Sequence, residues 1–101
     1  MPYMIETWDK PDHGALRRDL RPAHLDYLER HKALLLACGA KLDEDGQAAS
    51  GGLYLLDVDS RAKAQAFIEG DPFFAGDLFD RVTVTRWRKA YLDGRNTLDE
   101  G

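Results

Sequence analysis

The sequence predicts an α+β fold with the element order β-α-β-β-α-β: a four-stranded antiparallel sheet carrying both helices on one face. Three observations predict it. Segments rich in β-formers stand at residues 3–8, 53–58 and 82–88. Stretches of 3.6-residue apolar periodicity lie between them, and Gly- and Pro-containing breaks separate the two kinds of segment. With 101 residues, 44% of them hydrophobic and 32% charged, the chain reads as one soluble domain over residues 1–92, followed by a loose polar tail over 93–101.

Tyr3-Met-Ile-Glu-Thr-Trp8 opens the first strand, and Asp9-Lys10-Pro11-Asp12 ends it, because proline removes a donor and turns the preceding residue away from helix. Stepping by three and four from Leu20 gives His24, Leu28, His31 and Leu35, flanked by Ala23, Tyr27, Leu34 and Cys38. That is one helical stripe, with Asp26, Glu29, Arg30 and Lys32 left for solvent. Proline in a helix interior costs about 3 kcal/mol but is tolerated in the first turn. A short helical piece over residues 13–19 and a main helix from Pro22 to Leu36, stopped by Gly39, are therefore expected. Ala40–Asp43 supplies a second strand and residues 43–52 a turn. The third strand, Leu53–Val58, is apolar at successive positions and so is expected to be covered on both faces. Ser60 caps a second helix over Arg61–Glu69, Asp71–Phe79 forms a short helical turn, and Val82–Arg88 alternates as the last strand. Two helices cover one face of such a ferredoxin-like sheet. The other face calls for a second copy, packed sheet to sheet with two-fold symmetry.

Several function classes are disfavoured by composition. A formal net charge of −4 argues against a nucleic-acid backbone as partner, and the third strand lacks the aromatic platform of an RNA-binding sheet despite the basic run Arg86-Trp-Arg-Lys89. Cys38 is the single cysteine, so neither an internal disulfide nor a thiolate cluster forms. His24 and His31 stand seven positions apart, about 10 Å along a helix, too far to share a metal. No metal and no organic cofactor are expected. No apolar run reaches the roughly 20 residues of a membrane span, and the first residues lack a secretory pattern, which predicts a cytoplasmic protein.

Asp9-x-Pro11 after the first strand, Arg21-Pro-Ala-His-Leu25 in the main helix, Asp71-Pro-Phe73 before the last strand and the terminal Trp87-Arg-Lys89 occur together in this order. In this the chain resembles the YCII-related family, small proteins of the dimeric α+β barrel superfamily, over roughly residues 3–91. The resemblance implies a homodimer and an active-site pair made of His24 and Asp71. Related members include a dehydrochlorinase acting on a chlorinated hydroxyhydroquinone. The family's Ala-Gly-Pro turn after the second strand is here Gly39-Ala-Lys-Leu42, so the loop that lines the cleft differs.

Each candidate has a structural reading beside the functional one. A histidine on an apolar stripe is either a packed core residue or the floor of a cleft, where it serves as general acid or base near neutral pH. An aspartate before proline is a favoured N-cap, and a capping carboxylate can also orient an imidazole. Arg21 is either a solvated charge or a fork for an anionic substrate group. Trp8 and Phe73 are either core aromatics or the walls that hold a flat ring. The expectation is a cofactor-independent enzyme in which His24 moves a proton on a small cyclic or carbonyl substrate, in a lyase, dehalogenase or isomerase step. The alternatives are a non-catalytic ligand-binding or interaction module in the same cleft and an accessory domain to a larger enzyme.

Overall fold

The structure, a computed structural model, describes residues 2–98. Its elements in chain order are β1 Tyr3–Asp9, α1 Gly14–Arg30, β2 Leu35–Leu42, β3 Ala48–Leu56, α2 Arg61–Gly70, the four-residue α3 Pro72–Ala75, β4 Phe79–Arg86, and a two-residue hairpin of β5 Tyr91–Leu92 with β6 Arg95–Asn96. The main sheet runs β2-β3-β1-β4 with every neighbour antiparallel. This is the expected ferredoxin-like split arrangement, with β1 and β3 central.

Alternation decides which face is packed. Ile5 lies opposite Tyr54 on one side and Val84 on the other, while Tyr3 lies opposite Leu56 and Arg86. Tyr3, Ile5, Thr7, Tyr54 and Leu56 are buried beneath the helices, with Ala64, Phe67 and Ile68 of α2 closing over them. Burying a side chain such as Ile5, Leu56 or Ile68 contributes about 2 kcal/mol, so this layer holds α2 in place. A hydrogen bond from the Tyr27 hydroxyl to the Phe67 carbonyl, 2.7 Å, ties α1 to α2.

The structure corrects three boundaries. First, α1 is continuous through Pro22 and does not start there. Pro22 is exposed, and Arg17 and His24, on either side of it, are both buried, so tertiary packing outweighs the lost backbone donor. Second, α1 ends at Arg30, where the His31 amide closes the helix on the Tyr27 and Leu28 carbonyls. After a single 3-10 turn over Lys32–Leu34 the chain enters β2 at Leu35, so Leu35 and Leu36 are strand and not helix. Third, β3 begins at Ala48 and takes in Gly51 and Gly52. Gly51 has φ +125°, and a Cβ there would lie 1.9 Å from the Thr7 carbonyl oxygen. Glycine is what allows β3 to approach β1 so closely. In the single chain one face of β3 is covered: Tyr54 and Leu56 are buried, whereas Leu53 is exposed and Leu55 half-buried.

The expected loose tail is tethered at its start. Arg95–Asn96 pairs back on Tyr91–Leu92, the Thr97 amide bonds the Ala90 carbonyl, and Thr97 is buried. The remainder of the tail, 99–101, lies outside the described residues. No helix among the described residues is long and apolar enough to cross a membrane.

Candidate active site

Asp71 is the hinge of the site. It ends α2 and caps α3, with Pro72 in the first helical position and the Asp71 Oδ1 accepting from the Phe73 amide at 2.9 Å. The Asp-Pro-Phe sequence thus helps to orient the carboxylate by local capping. The carboxylate is fully buried and accepts from two further donors. His24 Nδ1 lies 2.8 Å from Oδ1 and 2.9 Å from Oδ2, and the Tyr54 hydroxyl donates to Oδ2 at 2.8 Å. A buried carboxylate needs several such donors to offset its desolvation.

Because a carboxylate only accepts, His24 Nδ1 carries a proton, and Nε2 is the nitrogen left to face the cleft. The imidazole stacks on Phe73 with ring centroids 3.8 Å apart and planes at 12°, and meets Tyr54 edge-on at 6.3 Å. Packing and hydrogen bonding thus hold one ring orientation. Burial, then the Asp71 charge and the hydrogen bond to it, raise the Tyr54 phenol far above its usual range, so Tyr54 stays a neutral donor.

The cleft above the ring has a volume of about 190 Å³ and lies between α1 and the β2–β3 side of the sheet. His24, Phe73, Arg17, Arg21, Tyr54 and Cys38 are among its lining residues. Arg17 is buried, gives its Nε to Asp9 Oδ2 at 2.7 Å and lies over the Phe73 ring, 4.7 Å from the centroid. Cys38 is an exposed residue at the border of the cleft, and partial desolvation of its thiol, then the Asp71 charge, push it up to about 11. At neutral pH it is a thiol and not a nucleophilic thiolate.

The residues singled out in the sequence separate into two groups. His24, Asp71 and Phe73 are in mutual contact, and Arg21 lines the same cleft. Trp8 does not join them. It lines a neighbouring cleft with Asp9, His13 and Ser50, its indole flanked by Lys41 Nζ at 4.2 Å and the Arg81 guanidinium at 4.7 Å. The reason is strand parity: Thr7 points under the helices, so Trp8, the next residue, points to the opposite face. Sequence reasoning assigned no role in the site to Tyr54, Arg17 or Asp9, although Asp9 stands in the Asp9-x-Pro11 motif. Arg17 stands four positions before Arg21 and seven before His24, on the stripe that a helix continuous through Pro22 would have extended to it. Among the described residues, no three His, Cys, Asp or Glu side chains gather as a metal site requires.

Strand order and helix placement define a ferredoxin-like α+β fold with a cleft of small-molecule size between helix and sheet. The chain belongs to the YCII-related domain family, whose pattern matches residues 1–88. It is 30% identical over 98 residues to protein YciI of Escherichia coli O6:H1 and to protein YciI of Shigella flexneri, covering 90% of this chain and all of each relative. Among solved structures it is similar to the 5-chloro-2-hydroxyhydroquinone dehydrochlorinase TftG of Burkholderia phenoliruptrix AC1100, in complex with 2,5-dihydroxybenzoquinone. The TM-score is 0.80 and the identity 32%, over 87% of this chain and 94% of that one.

Proposed function

We propose that this protein is an acid–base enzyme converting a small cyclic or carbonyl compound, with His24 as the proton-transfer group and Asp71 as the group that orients it. The observation that carries the reading is the His24 Nδ1–Asp71 contact at 2.8 Å on the floor of a cleft. With Nδ1–H held by the carboxylate, Nε2 takes a proton from the substrate. The imidazolium so formed is stabilised by Asp71 and returns the proton to a second position or to a departing group. The outcome is an isomerisation or an elimination, and neither step needs an external electron donor or acceptor. Similarity to TftG, which binds 2,5-dihydroxybenzoquinone, makes hydroxylated quinones and their reduced, halogenated forms the first substrates to try. The exposed Leu53 and half-buried Leu55 on the open face of the sheet support pairing with a second copy through that face.

The test is turnover of a panel of halogenated hydroxyhydroquinones, hydroxyquinones and cyclic ketones by the wild type and by His24→Asn. A group acting as general acid or base contributes about 10²–10⁴-fold, so turnover should fall by that factor with folding unchanged. A His24→Asn protein that binds and converts its best substrate at the wild-type rate removes the reading.

A further inference from the structure

The chain is acidic, with 18 Asp and Glu against 14 Lys and Arg, yet its His24 cleft has the opposite character. The charged or titratable side chains that line it are Arg17, Arg21 and His24, joined by the neutral thiol and phenol of Cys38 and Tyr54, and no Asp or Glu is among the lining residues. The two nearby carboxylates are turned to other tasks. Asp71 is fully buried and accepts from His24, Tyr54 and the Phe73 amide, while the Asp9 side chain, 6% exposed, holds Arg17.

Arg17 itself is 8% exposed, an uncommon degree of burial for a guanidinium. Asp9 takes its Nε, and Phe73 supports the plane of the group. Arg17 borders both this cleft and the neighbouring one of Trp8, and with Nε committed to Asp9 the part of the group left for a ligand is its terminal Nη edge, two N–H directions matched to a pair of oxygens. Arg21 follows one helical turn later, exposed, so it stands at the rim of the same cleft. His24 follows Arg17 by two turns of α1, and both side chains rest against the Phe73 ring, the guanidinium carbon 4.7 Å and the imidazole centroid 3.8 Å from its centroid, so the cation and the imidazole are no farther apart than those two contacts together allow. Pockets for drug-sized ligands run to about 300–1,000 Å³. At about 190 Å³ this one takes a single ring or a short chain.

We infer that the cleft selects small organic anions, carboxylates or ionised enols and phenols, whose oxygens rest on the Nη edge of Arg17 with Arg21 at the entrance. This deepens the acid–base reading: removing a proton beside a carbonyl moves negative charge onto oxygen, and a buried, preorganised guanidinium stabilises that charge. Binding of an anion, unlike turnover, does not depend on His24 acting as a base.

The experiment uses benzoate and benzamide, which share a ring and differ in charge, titrated into the full chain while backbone amide and His24 ring signals are followed by NMR. Benzoate should shift residues lining the cleft and bind at least tenfold more tightly than benzamide. Arg17→Lys, which keeps the charge beside Asp9 but loses the fork, and Arg21→Gln, on the surface, should each weaken benzoate fivefold or more and leave benzamide unchanged. Equal affinity for the two probes, no benzoate-dependent shift up to its solubility, or benzoate affinity within twofold of wild type in both variants overturns the inference. Should Arg17→Lys not fold, Arg21→Gln and the wild-type comparison of the two probes still decide. His24→Asn separates this from the proposed function. Lost turnover without an anion preference sinks the anion site alone, and an anion preference with turnover intact in His24→Asn sinks the acid–base reading alone.

Discussion

At the residue scale, Asp71 concentrates the most consequence in the fewest atoms. It caps a helix, accepts a phenol and steers an imidazole, so its replacements act on both stability and turnover. Asp71→Asn keeps the shape but presents an NH₂ where a carboxylate oxygen accepted before. Turnover should fall by about 10²-fold or more, and stability by about 1–3 kcal/mol because a buried donor loses its partner. Steady-state rates beside urea melts check both. Tyr54 adds a pH dependence. Its phenol is raised in the folded state, so the folded protein retains that proton where the unfolded chain, with an ordinary value of 10.0, releases it. The contribution is complete below pH 10 and is lost as pH rises above it, by about 1.4 kcal/mol per pH unit. Wild type should therefore lose more stability between pH 9 and 11 than Tyr54→Phe does. Cys38, raised to about 11, should react with iodoacetamide more slowly at pH 7.5 than a free cysteine and accelerate with pH up to that value. A faster reaction at pH 7.5 would contradict its surroundings.

At the scale of elements, two backbone positions carry the site. Gly51→Ala forces a Cβ to 1.9 Å from the Thr7 carbonyl at a φ of +125°. We expect a loss of about 3 kcal/mol or more, or failure to fold, read by denaturant midpoint. Pro22 stands inside α1, where an alanine would restore the missing donor, and it is exposed, so its ring is not part of the core. Pro22→Ala should raise stability by about 2 kcal/mol, the helix-interior cost less the entropy that proline removes from the unfolded chain. These are also the places where local sequence misleads. Pro22 reads as a helix start, and Gly51-Gly52 as the end of a turn, because each obeys a local preference that burial of its neighbours overrides. The apolar run Leu34-Leu35-Leu36 continues the helical stripe and serves equally as strand, and only the packing of β2 against β3 decides. By contrast, the Ser60 cap of α2 and the Asp71-Pro72 start of α3 are legible directly, since side-chain capping is local chemistry. The His24–Asp71 contact spans 47 residues and cannot be read from spacing. It became an expectation only through the family pattern.

At the scale of the whole molecule, the β-α-β-β-α-β order was readable because hydrophobic period and breaks mark each element, while the placement of Trp8 was not, because it depends on which face of β1 the helices cover, and Thr7 rather than Trp8 lies on that face. The helices cover one face of the sheet, and the proposed second copy would cover the other. Leu53→Lys places a charge on that open face. The wild type should sediment as a dimer and Leu53→Lys as a monomer with an unchanged circular dichroism spectrum, whereas a monomeric wild type removes the pairing.

The indole clasped between Lys41 and Arg81 has a practical corollary. The chain's two tryptophans are Trp8 and Trp87, and neither lines the His24 cleft. Intrinsic fluorescence should therefore stay quiet when a non-absorbing compound fills that cleft. If the proposed second copy covers the open face, the fluorescence should change on dilution, as Trp8 and the two cationic side chains around it are uncovered. Trp8 would then report on the proposed pairing separately from the filling of the His24 cleft.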